Sequence, residues 1–310
     1  GVWKIPAFLT LVSDSSRVIE AVNFYTRVKF SKNAKLITLC DSHWHQSVVT
    51  CAFKNRGLVS FTCMHGTPSK WDILSPFMSD YVLSWGDSMS DTIVRYCDDM
   101  SLDRIIKIGN TKYSEFLCRS PMEALKPDEI NEIVFISPCY NCSETYGFEG
   151  LEREIKQFVR LSIPGVSFSI RPYPCIEEIQ CVENLLRHMG LSDEVKILNG
   201  SSFSELVVPG RLFIGSISSA IADVIMLGGV FVGLCEGISR KLAATQVCYS
   251  SEIYFNMKDL EEFLKTLQDD SHFQCHLKRM SDLRDGLVGS VVESLDFYLI
   301  DVVEKRQQSL

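Results

Sequence analysis

The sequence predicts an α/β protein made of two Rossmann-like units, and three observations lead to this prediction. The chain has 310 residues, which is about twice the size of a typical single domain. Apolar runs of strand length alternate with segments of helical periodicity, a pattern typical of a parallel sheet covered by helices on both faces. A polar stretch at Met122–Asn131, which contains Pro127, divides this alternation into two series of similar size.

The first series has a strand-like run before each of its helix-like segments. The run AKLITLC predicts a buried strand, since five of its seven residues are apolar and polar residues follow it. In chain order, the predicted strands are residues 7–12, 34–40, 58–64, 80–85 and 104–108, and the predicted helices are residues 16–28, 46–55 and 88–97.

The second series repeats this pattern and ends in a long amphipathic stretch at 259–308. Its predicted strands are residues 132–137, 166–170, 195–198, 212–214 and 230–234, and its predicted helices are residues 150–161 and 176–188. We therefore expect an N-terminal Rossmann-like domain at residues 1–125, a C-terminal one at 126–289, and a final helix within 290–310.

Composition excludes several classes of protein. The net charge is −8, which argues against a nucleic-acid binder, because phosphate binding needs clustered Lys and Arg. The most apolar stretch, Ser218–Cys235, is interrupted by Asp223 and by Gly228-Gly229, so no run is long enough to span a bilayer. The twelve cysteines are scattered, and no secretory pattern is present, which predicts reduced thiols and a cytoplasmic protein.

Polar residues follow the predicted strands of the first series, at the sheet edge where α/β proteins bind ligands. Asp41 follows the strand at 34–40, and His65 follows the strand at 58–64. A carboxylate or a neutral imidazole can accept a proton there near neutral pH, although Asp41 is also suited to capping the next helix. Asp41, His43 and His45 resemble metal ligands, but the strand ends before them and no further ligand is well placed, so we expect no metal.

In the second series, the strand at 166–170 leads into the loop Arg171-Pro172-Tyr173-Pro174. The two prolines stiffen the loop. The Arg171 guanidinium is a planar fork that suits a phosphate or a carboxylate.

Three serines lie between the predicted strand at 212–214 and the apolar helix-like segment that follows it. Ser216, Ser218 and Ser219 would place hydroxyl and backbone N–H groups at a helix N-terminus, where the helix dipole favours an anion. One serine suffices for a helix cap, so three of them favour a phosphate site. The chain has neither a Walker P-loop nor a G-x-G-x-x-G motif after a strand.

The order of these features resembles the bacterial GT-B glycosyltransferases of surface-polysaccharide biosynthesis (capsule, O-antigen and lipooligosaccharide). The resemblance is strongest to enzymes that use CMP-sialic acid or CMP-Kdo, and weaker to CDP-glycerol polymerases. Those enzymes share a His-Gly strand end, an Asp-x-x-x-x-Trp-Gly strand, an Arg-Pro-His-Pro loop and a Ser-Ser helix start. The matching residues here are His65-Gly66, Asp80–Gly86, Arg171–Pro174 and Ser218-Ser219. Tyr173 replaces the family's histidine, so this position cannot carry a positive charge.

The resemblance implies two Rossmann-like domains facing a central cleft, with a nucleotide-sugar donor on domain 126–289 and a glycan or glycolipid acceptor on domain 1–125. It implies a final helix at 290–310 that crosses back to the first domain, and catalysis without a metal or other cofactor. A glycolipid acceptor would bring the cytoplasmic enzyme to the inner face of the membrane through peripheral contact.

The resemblance also assigns roles to single residues. Asp41 would act as the base in an inverting displacement, with His65 as the second choice or as a phosphate contact. The donor phosphate would be held by Ser137, Arg171, Tyr173, Ser216, Ser218 and Ser219.

Two alternatives remain open. One is a sugar-nucleotide epimerase of the same architecture, which would need several cleft carboxylates and histidines acting on one sugar. The other is a non-catalytic module that binds a nucleotide sugar or a partner. Replacing Asp41 with alanine would abolish turnover in the transferase and change nothing measurable in the module.

Overall fold

A computed structural model describes the chain within residues 17–39, 44–64, 77–97, 99–110, 127–137, 147–161, 163, 165–200, 202–215, 220–234, 254–255, 257–265 and 270–288. The described residues up to Gly109 form one compact unit, and those from Asn110 to Val288 form a second. The predicted boundary between residues 125 and 126, the predicted strand at 7–12 and the predicted helix at 290–310 lie outside the described residues and stay predictions.

The first unit contains a parallel sheet whose four described strands lie side by side in chain order, β1-β2-β3-β4. Its elements are helix α1 (17–27), strand β1 (Leu36–Thr38), helix α2 (Trp44–Lys54), strands β2 (Ser60–Cys63) and β3 (Tyr81–Ser84), helix α3 (Asp87–Tyr96), a 3-10 turn (Leu102–Arg104) and strand β4 (Ile105–Lys107). On one face of this sheet, the described residues include a cluster of four buried apolar side chains: Phe61, Leu83, Ile106 and Ile108.

Hydroxyl groups are buried within this first sheet. The Thr38 and Thr62 hydroxyl oxygens lie 3.2 Å apart, and the Ser79 hydroxyl donates to that of Thr62 at 2.8 Å. The hydroxyls of Ser84 and Ser90 lie 2.7 Å apart. A buried hydroxyl without a partner costs about 1–3 kcal/mol, so these bonds are a condition for the strands to pair in this register.

The second unit contains a six-stranded parallel sheet in the order β10-β9-β8-β5-β6-β7. Its elements are a 3-10 turn (Pro127–Glu129), β5 (Glu132–Ile136), α4 (Gly147–Val159), β6 (Ser167–Arg171), α5 (Ile176–His188), β7 (Val195–Ile197), α6 (Phe203–Leu206), β8 (Arg211–Gly215), α7 (Ala220–Met226), β9 (Val230–Leu234), β10 (Tyr254–Phe255), α8 (Met257–Lys265) and α9 (Asp270–Val288). From the central pair β5–β8, later strands are added on both sides: β6 and β7 beside β5, and β9 and β10 beside β8. This parallel sheet is therefore doubly wound.

Both faces of the second sheet are apolar, because successive residues of a strand point to opposite faces. Ile133 and Phe135 of β5 belong to a cluster that includes side chains of α4, α5, α8 and α9. Val134 and Ile136 belong to a second cluster, which includes side chains of α6, α7 and α9. These clusters fix the six strands as a rigid support for whatever lies at their ends.

A partly buried acidic residue links three strands of the second sheet. The Glu132 carboxylate of β5 accepts hydrogen bonds from the Ser169 hydroxyl of β6 and from Nε of Arg211 in β8. Arg211 also donates to the Leu206 carbonyl at 2.9 Å. The side chains of Glu132 and Arg211 are only 13% and 16% exposed, so water screens this ion pair weakly.

The predicted alternation of strands and helices is confirmed in both units. Each predicted strand among the described residues is present, with ends within two residues of the predicted ones. The sequence did not predict α6 or β10, and the long helical stretch from 259 contains two separate helices, α8 and α9. Among the described helices, none has the length and apolar character needed to cross a bilayer.

Candidate functional site

The carboxyl edge of the second sheet has a switch point, because the strand order reverses between β5 and β8. Ligands of doubly wound sheets bind in the crevice outside such a point. The residues at this edge are Ser137 after β5, Arg171 at the end of β6 and Gly215 at the end of β8.

Gly215 lets the two central strands approach closely. It pairs with Ile136 of β5, and a Cβ atom at position 215 would lie 2.8 Å from the Ile136 carbonyl oxygen and 3.1 Å from its Cβ. The backbone oxygen cannot move away without breaking the sheet. Glycine is therefore needed here, and it leaves the strand end bare of side-chain atoms.

Arg171 extends from the end of β6 over one face of the sheet. It pairs with Ile136 of β5, and the Ser137 N–H donates to the Arg171 carbonyl at 3.0 Å. Paired residues of neighbouring strands share a face, so the guanidinium lies on the side covered by α6. Its central carbon is 4.1 Å from the centre of the Phe203 ring, in cation–π geometry.

Among the residues that the structure describes, no acid compensates the charge of Arg171. Its side chain is half-buried, and its Nε atom is buried and has no hydrogen-bond partner among the described residues. No ion pair within the described part of the chain includes it. Burial lowers the pKa of Arg171 from its ordinary value, yet a guanidinium stays charged at neutral pH. The end of β6 therefore favours the binding of an anion.

Phe203, which stacks on Arg171, begins the four-residue helix α6. The Ser202 N–H donates to the Glu205 carboxylate at 3.0 Å, which fixes the start of this helix. Sequence reasoning missed Phe203, because it lies 32 positions from Arg171. The pattern Ser-x-x-Glu at 202–205 is the signal that could have located its helix.

The loop after Arg171 leads into α5 and presents a tyrosine to solvent. Tyr173 is 44% exposed, and its carbonyl accepts from the Cys175 N–H at 2.8 Å. The first turn of α5 carries Glu177 and Glu178. These carboxylates already complement the helix dipole, so an anion at this edge is expected beside Arg171 and not at the start of α5.

Of the predicted phosphate-binding residues, Ser137 follows β5, is only 4% exposed, and donates its N–H to the Arg171 carbonyl. Its predicted role in binding a phosphate stays a prediction. The other predicted site residues, Asp41, His65, Ser216, Ser218 and Ser219, lie outside the described residues. Their roles stay predictions.

A hydrogen-bonded tryptophan and a turn at a glycine lie at the carboxyl edge of the first sheet. The Trp85 indole N–H donates to the Met64 carbonyl at 2.9 Å, which ties the ends of β2 and β3 together. After β4, Gly109 adopts φ 75°, a conformation that favours glycine. No group of three or more His, Cys, Asp or Glu side chains that could hold a metal ion occurs in the described portion of the chain.

Comparison with known proteins gives matches only among solved structures. No protein-family model matches the sequence, and no curated protein sequence matches it. The S. aureus protein MnaA in complex with UDP aligns at a TM-score of 0.57 and 10% identity, over 88% of this chain and 77% of that one. Anabaena HepE in complex with UDP-glucose aligns at 0.52 and 11% identity, over 94% and 82%. The UDP-GlcNAc 2-epimerase of Neisseria meningitidis bound to UDP-GlcNAc aligns at 0.51 and 9% identity, over 98% and 82%.

Identities near 10% establish the fold and nothing further. The chain has a GT-B-like fold. The GT-B-like α/β architecture with two Rossmann-like units, expected from the motif order, is thereby confirmed. In the second unit, Arg171 and Gly215 lie at the ends of β6 and β8 on either side of β5, and Phe203 stacks on Arg171.

Proposed function

We propose that this chain is an enzyme that binds a UDP-linked sugar and acts on the sugar portion. The second unit would hold the diphosphate beyond the ends of β5, β6 and β8, with Arg171 as the principal cation. The sugar would then be the part of the ligand on which the chemistry takes place.

The observation that carries the proposal is the uncompensated Arg171. A half-buried cation without an ion pair among the described residues is stabilised when an anion arrives. The Phe203 ring holds the guanidinium plane in place, so little side-chain entropy is lost on binding. Gly215 leaves room for a bulky group beside the strand end, and the hydroxyls of Ser218 and Ser219 would add donors.

The proposed nucleotide is UDP, because three proteins of similar fold are described with UDP or a UDP-sugar. The CMP-linked donor expected from the sequence resemblance has no such support. Tyr173 departs from the histidine of that resemblance, which also weakens the case for CMP.

The proposed reaction is epimerisation of the sugar nucleotide, as in the Neisseria meningitidis enzyme of similar fold. Transfer of the sugar to a glycan or glycolipid acceptor is the second candidate. It is favoured by the order of the sequence motifs around Asp41, His65 and Arg171. An epimerase needs no acceptor, and this difference separates the two reactions.

The binding step is tested by calorimetry with UDP, UDP-N-acetylglucosamine and CMP in buffer containing EDTA. We expect UDP to bind more tightly than CMP. Arg171→Met should lower the affinity for UDP by about 10- to 100-fold, the loss expected for a charge-assisted phosphate contact. Arg187→Met, which removes an exposed arginine of α5, is the control and should leave the affinity unchanged. Equal affinities of wild type and Arg171→Met would refute the role of Arg171.

The reaction is tested by proton NMR of UDP-N-acetylglucosamine or UDP-glucose incubated with the protein alone. The appearance of a second sugar nucleotide without an acceptor supports the epimerase. Turnover that appears only after a glycan extract is added, with release of the free nucleotide, supports the transferase. Tight UDP binding with neither reaction would favour a non-catalytic binding module.

A further inference from the structure

Helix α1 is held on the first unit at its end and along one side. The Arg56 guanidinium, just after α2, donates to the Tyr25 carbonyl at 2.7 Å and to the Thr26 carbonyl at 3.0 Å, which fixes the last turn of α1. Val18, Ala21 and Tyr25 lie on one side of the helix and are half-buried. No residue of α1 is fully buried, whereas a surface helix usually buries an apolar stripe. Much of the surface of α1 is therefore open to a partner.

The open sides of α1 carry large apolar side chains. Ile19 is 61% exposed, Val22 is 43% exposed and Phe24 is 62% exposed. An open groove runs beside the helix, and the described residues that line it are Glu20, Asn23, Phe24, Arg27 and Val28. Their spacing of i, i+3, i+4, i+7 and i+8 places them on one side of the helix. Exposed apolar groups beside charged ones, as on this side of α1, mark contact sites in soluble proteins.

The two charges on this side of α1 are complementary to those of a second copy of the same helix. Glu20 and Arg27 are two turns apart, about 10 Å along the helix axis, and Asn23 and Phe24 lie midway between them. A two-fold axis through this midpoint pairs the helices antiparallel, which brings Glu20 opposite Arg27 of the second copy at both ends and the two Phe24 rings together at the centre. No ion pair among the described residues includes Glu20 or Arg27, so both charges are available for this contact.

We propose that α1 is a dimerisation surface, on which α1 of a second copy of this chain binds antiparallel. Phe24 supplies apolar area at the centre of the contact, and the pairs of Glu20 with Arg27 fix the direction and the register. The helix is about 16 Å long and offers less area than the about 800 Å² per partner of a standard interface. We therefore expect a weak, reversible dimer. The inference does not depend on the proposed function, because neither nucleotide binding nor turnover enters it.

The test is sedimentation velocity of the full chain at low salt, from low to high micromolar concentration. Wild type should shift from monomer to dimer as the concentration rises. Glu20→Arg and Arg27→Glu should each raise the Kd of the dimer by about tenfold or more, because each substitution places like charges together at both ends of the contact. Phe24→Ser should also raise the Kd, because the apolar area at the centre is lost.

Charge exchange tests the antiparallel arrangement itself. The double variant Glu20→Arg/Arg27→Glu should dimerise as wild type does, because the opposite charges face each other again. An equimolar mixture of the two single variants should form a mixed dimer, since one chain is then positive at both positions and the other negative. Glu194→Arg and Arg187→Glu make the same changes in net charge at exposed positions of the second unit and should leave the Kd unchanged.

Three results would overturn the inference. Wild type that stays monomeric at the highest concentration would mean that something other than a second copy covers α1. A dimer whose Kd is the same in wild type and in every α1 variant would use another surface. Weak dimers in the single variants that neither charge exchange nor mixing restores would contradict the antiparallel pairing of Glu20 with Arg27. Circular dichroism of each variant should match that of wild type, because the changed side chains are exposed.

Discussion

The two parallel sheets of this chain are held together in different ways. The first sheet has strands of three or four residues and buries hydroxyl groups within them, including those of Thr38, Thr62 and Ser84. The second has several five-residue strands covered by apolar clusters on both faces. Hydrogen bonds contribute less net stability than burial of large side chains. Among the described residues, apolar contacts therefore dominate in the second sheet, and we expect the first sheet to depend more on specific hydrogen bonds.

The largest expected effect comes from making the same substitution in both sheets. Phe213→Ala and Phe61→Ala each remove a fully buried ring, and each should lower the free energy of unfolding of its own unit by about 3–5 kcal/mol. Phe213 lies in the larger cluster, so we expect the second unit to stay folded while Phe61→Ala opens the first. Hydrogen exchange resolved by peptide measures this. Equal loss of protection in both units after either substitution would contradict the comparison.

The next effect concerns the acidic residue at the amino end of each sheet. Glu132→Ala leaves the Arg211 side chain, which is 16% exposed, without its carboxylate partner, and should cost about 3 kcal/mol. Asp80 is 32% exposed and accepts from the N–H and the hydroxyl of Ser60, both at 2.8 Å. Asp80→Ala should therefore cost less, about 1–2 kcal/mol. Urea unfolding checks both values against Glu194→Ala, an exposed control. A larger loss for Asp80→Ala would reverse the ranking.

A smaller effect depends on pH and belongs to the second unit alone. His276 is 1% exposed and its Nε2 lies 2.8 Å from the Phe231 carbonyl. Burial lowers the pKa of His276 to about 4, helped by the Arg279 charge and opposed by the bond to Phe231. The unfolded chain takes up this proton near pH 6.5, so stability should fall by about 3 kcal/mol as the pH decreases from 6.5 to 4.

The pH effect is isolated by comparing variants on the same helix. In His276→Gln the side-chain amide can still donate to the Phe231 carbonyl but does not titrate, so most of this loss should disappear. His272 is exposed, and His272→Gln should retain the full pH dependence. If the free energy of unfolding of His276→Gln falls as much as that of wild type between pH 6.5 and 4, His276 is not the group that causes the loss.

The smallest expected effect is that of a surface ion pair in the first unit. Lys107 and Asp87 join the end of β4 to the start of α3, with side chains 49% and 76% exposed. Lys107→Met should change the free energy of unfolding by less than about 1 kcal/mol, because water and salt screen exposed pairs. Thermal unfolding at low and high salt checks this. A loss as large as that of Glu132→Ala would show that the two kinds of ion pair are not distinguished by burial.

Much of the fold could be predicted from the sequence, because buried parallel strands are continuous apolar runs. The segment Val230–Leu234 was predicted with its observed ends. Helix α6 could not be predicted, since four residues carry too little periodicity. The close approach at Gly215 depends on which strand becomes its neighbour, and the sequence pattern does not contain that information.

The candidate site was predicted only in part. Arg171 was identified from its position after a strand, which is a local property. Its stacking on Phe203 was missed, because that contact joins distant parts of the chain. The predicted roles of Asp41, His65 and the three serines remain to be tested.

The bond between Trp85 and the Met64 carbonyl has a practical consequence. An indole that is only 7% exposed and hydrogen-bonded to a backbone oxygen emits at a wavelength that depends on that bond and on local polarity. The carbonyl belongs to the residue just before His65. With Trp3, Trp44 and Trp71 changed to phenylalanine, the remaining fluorescence would report optically on movement of the chain beside His65, without any label.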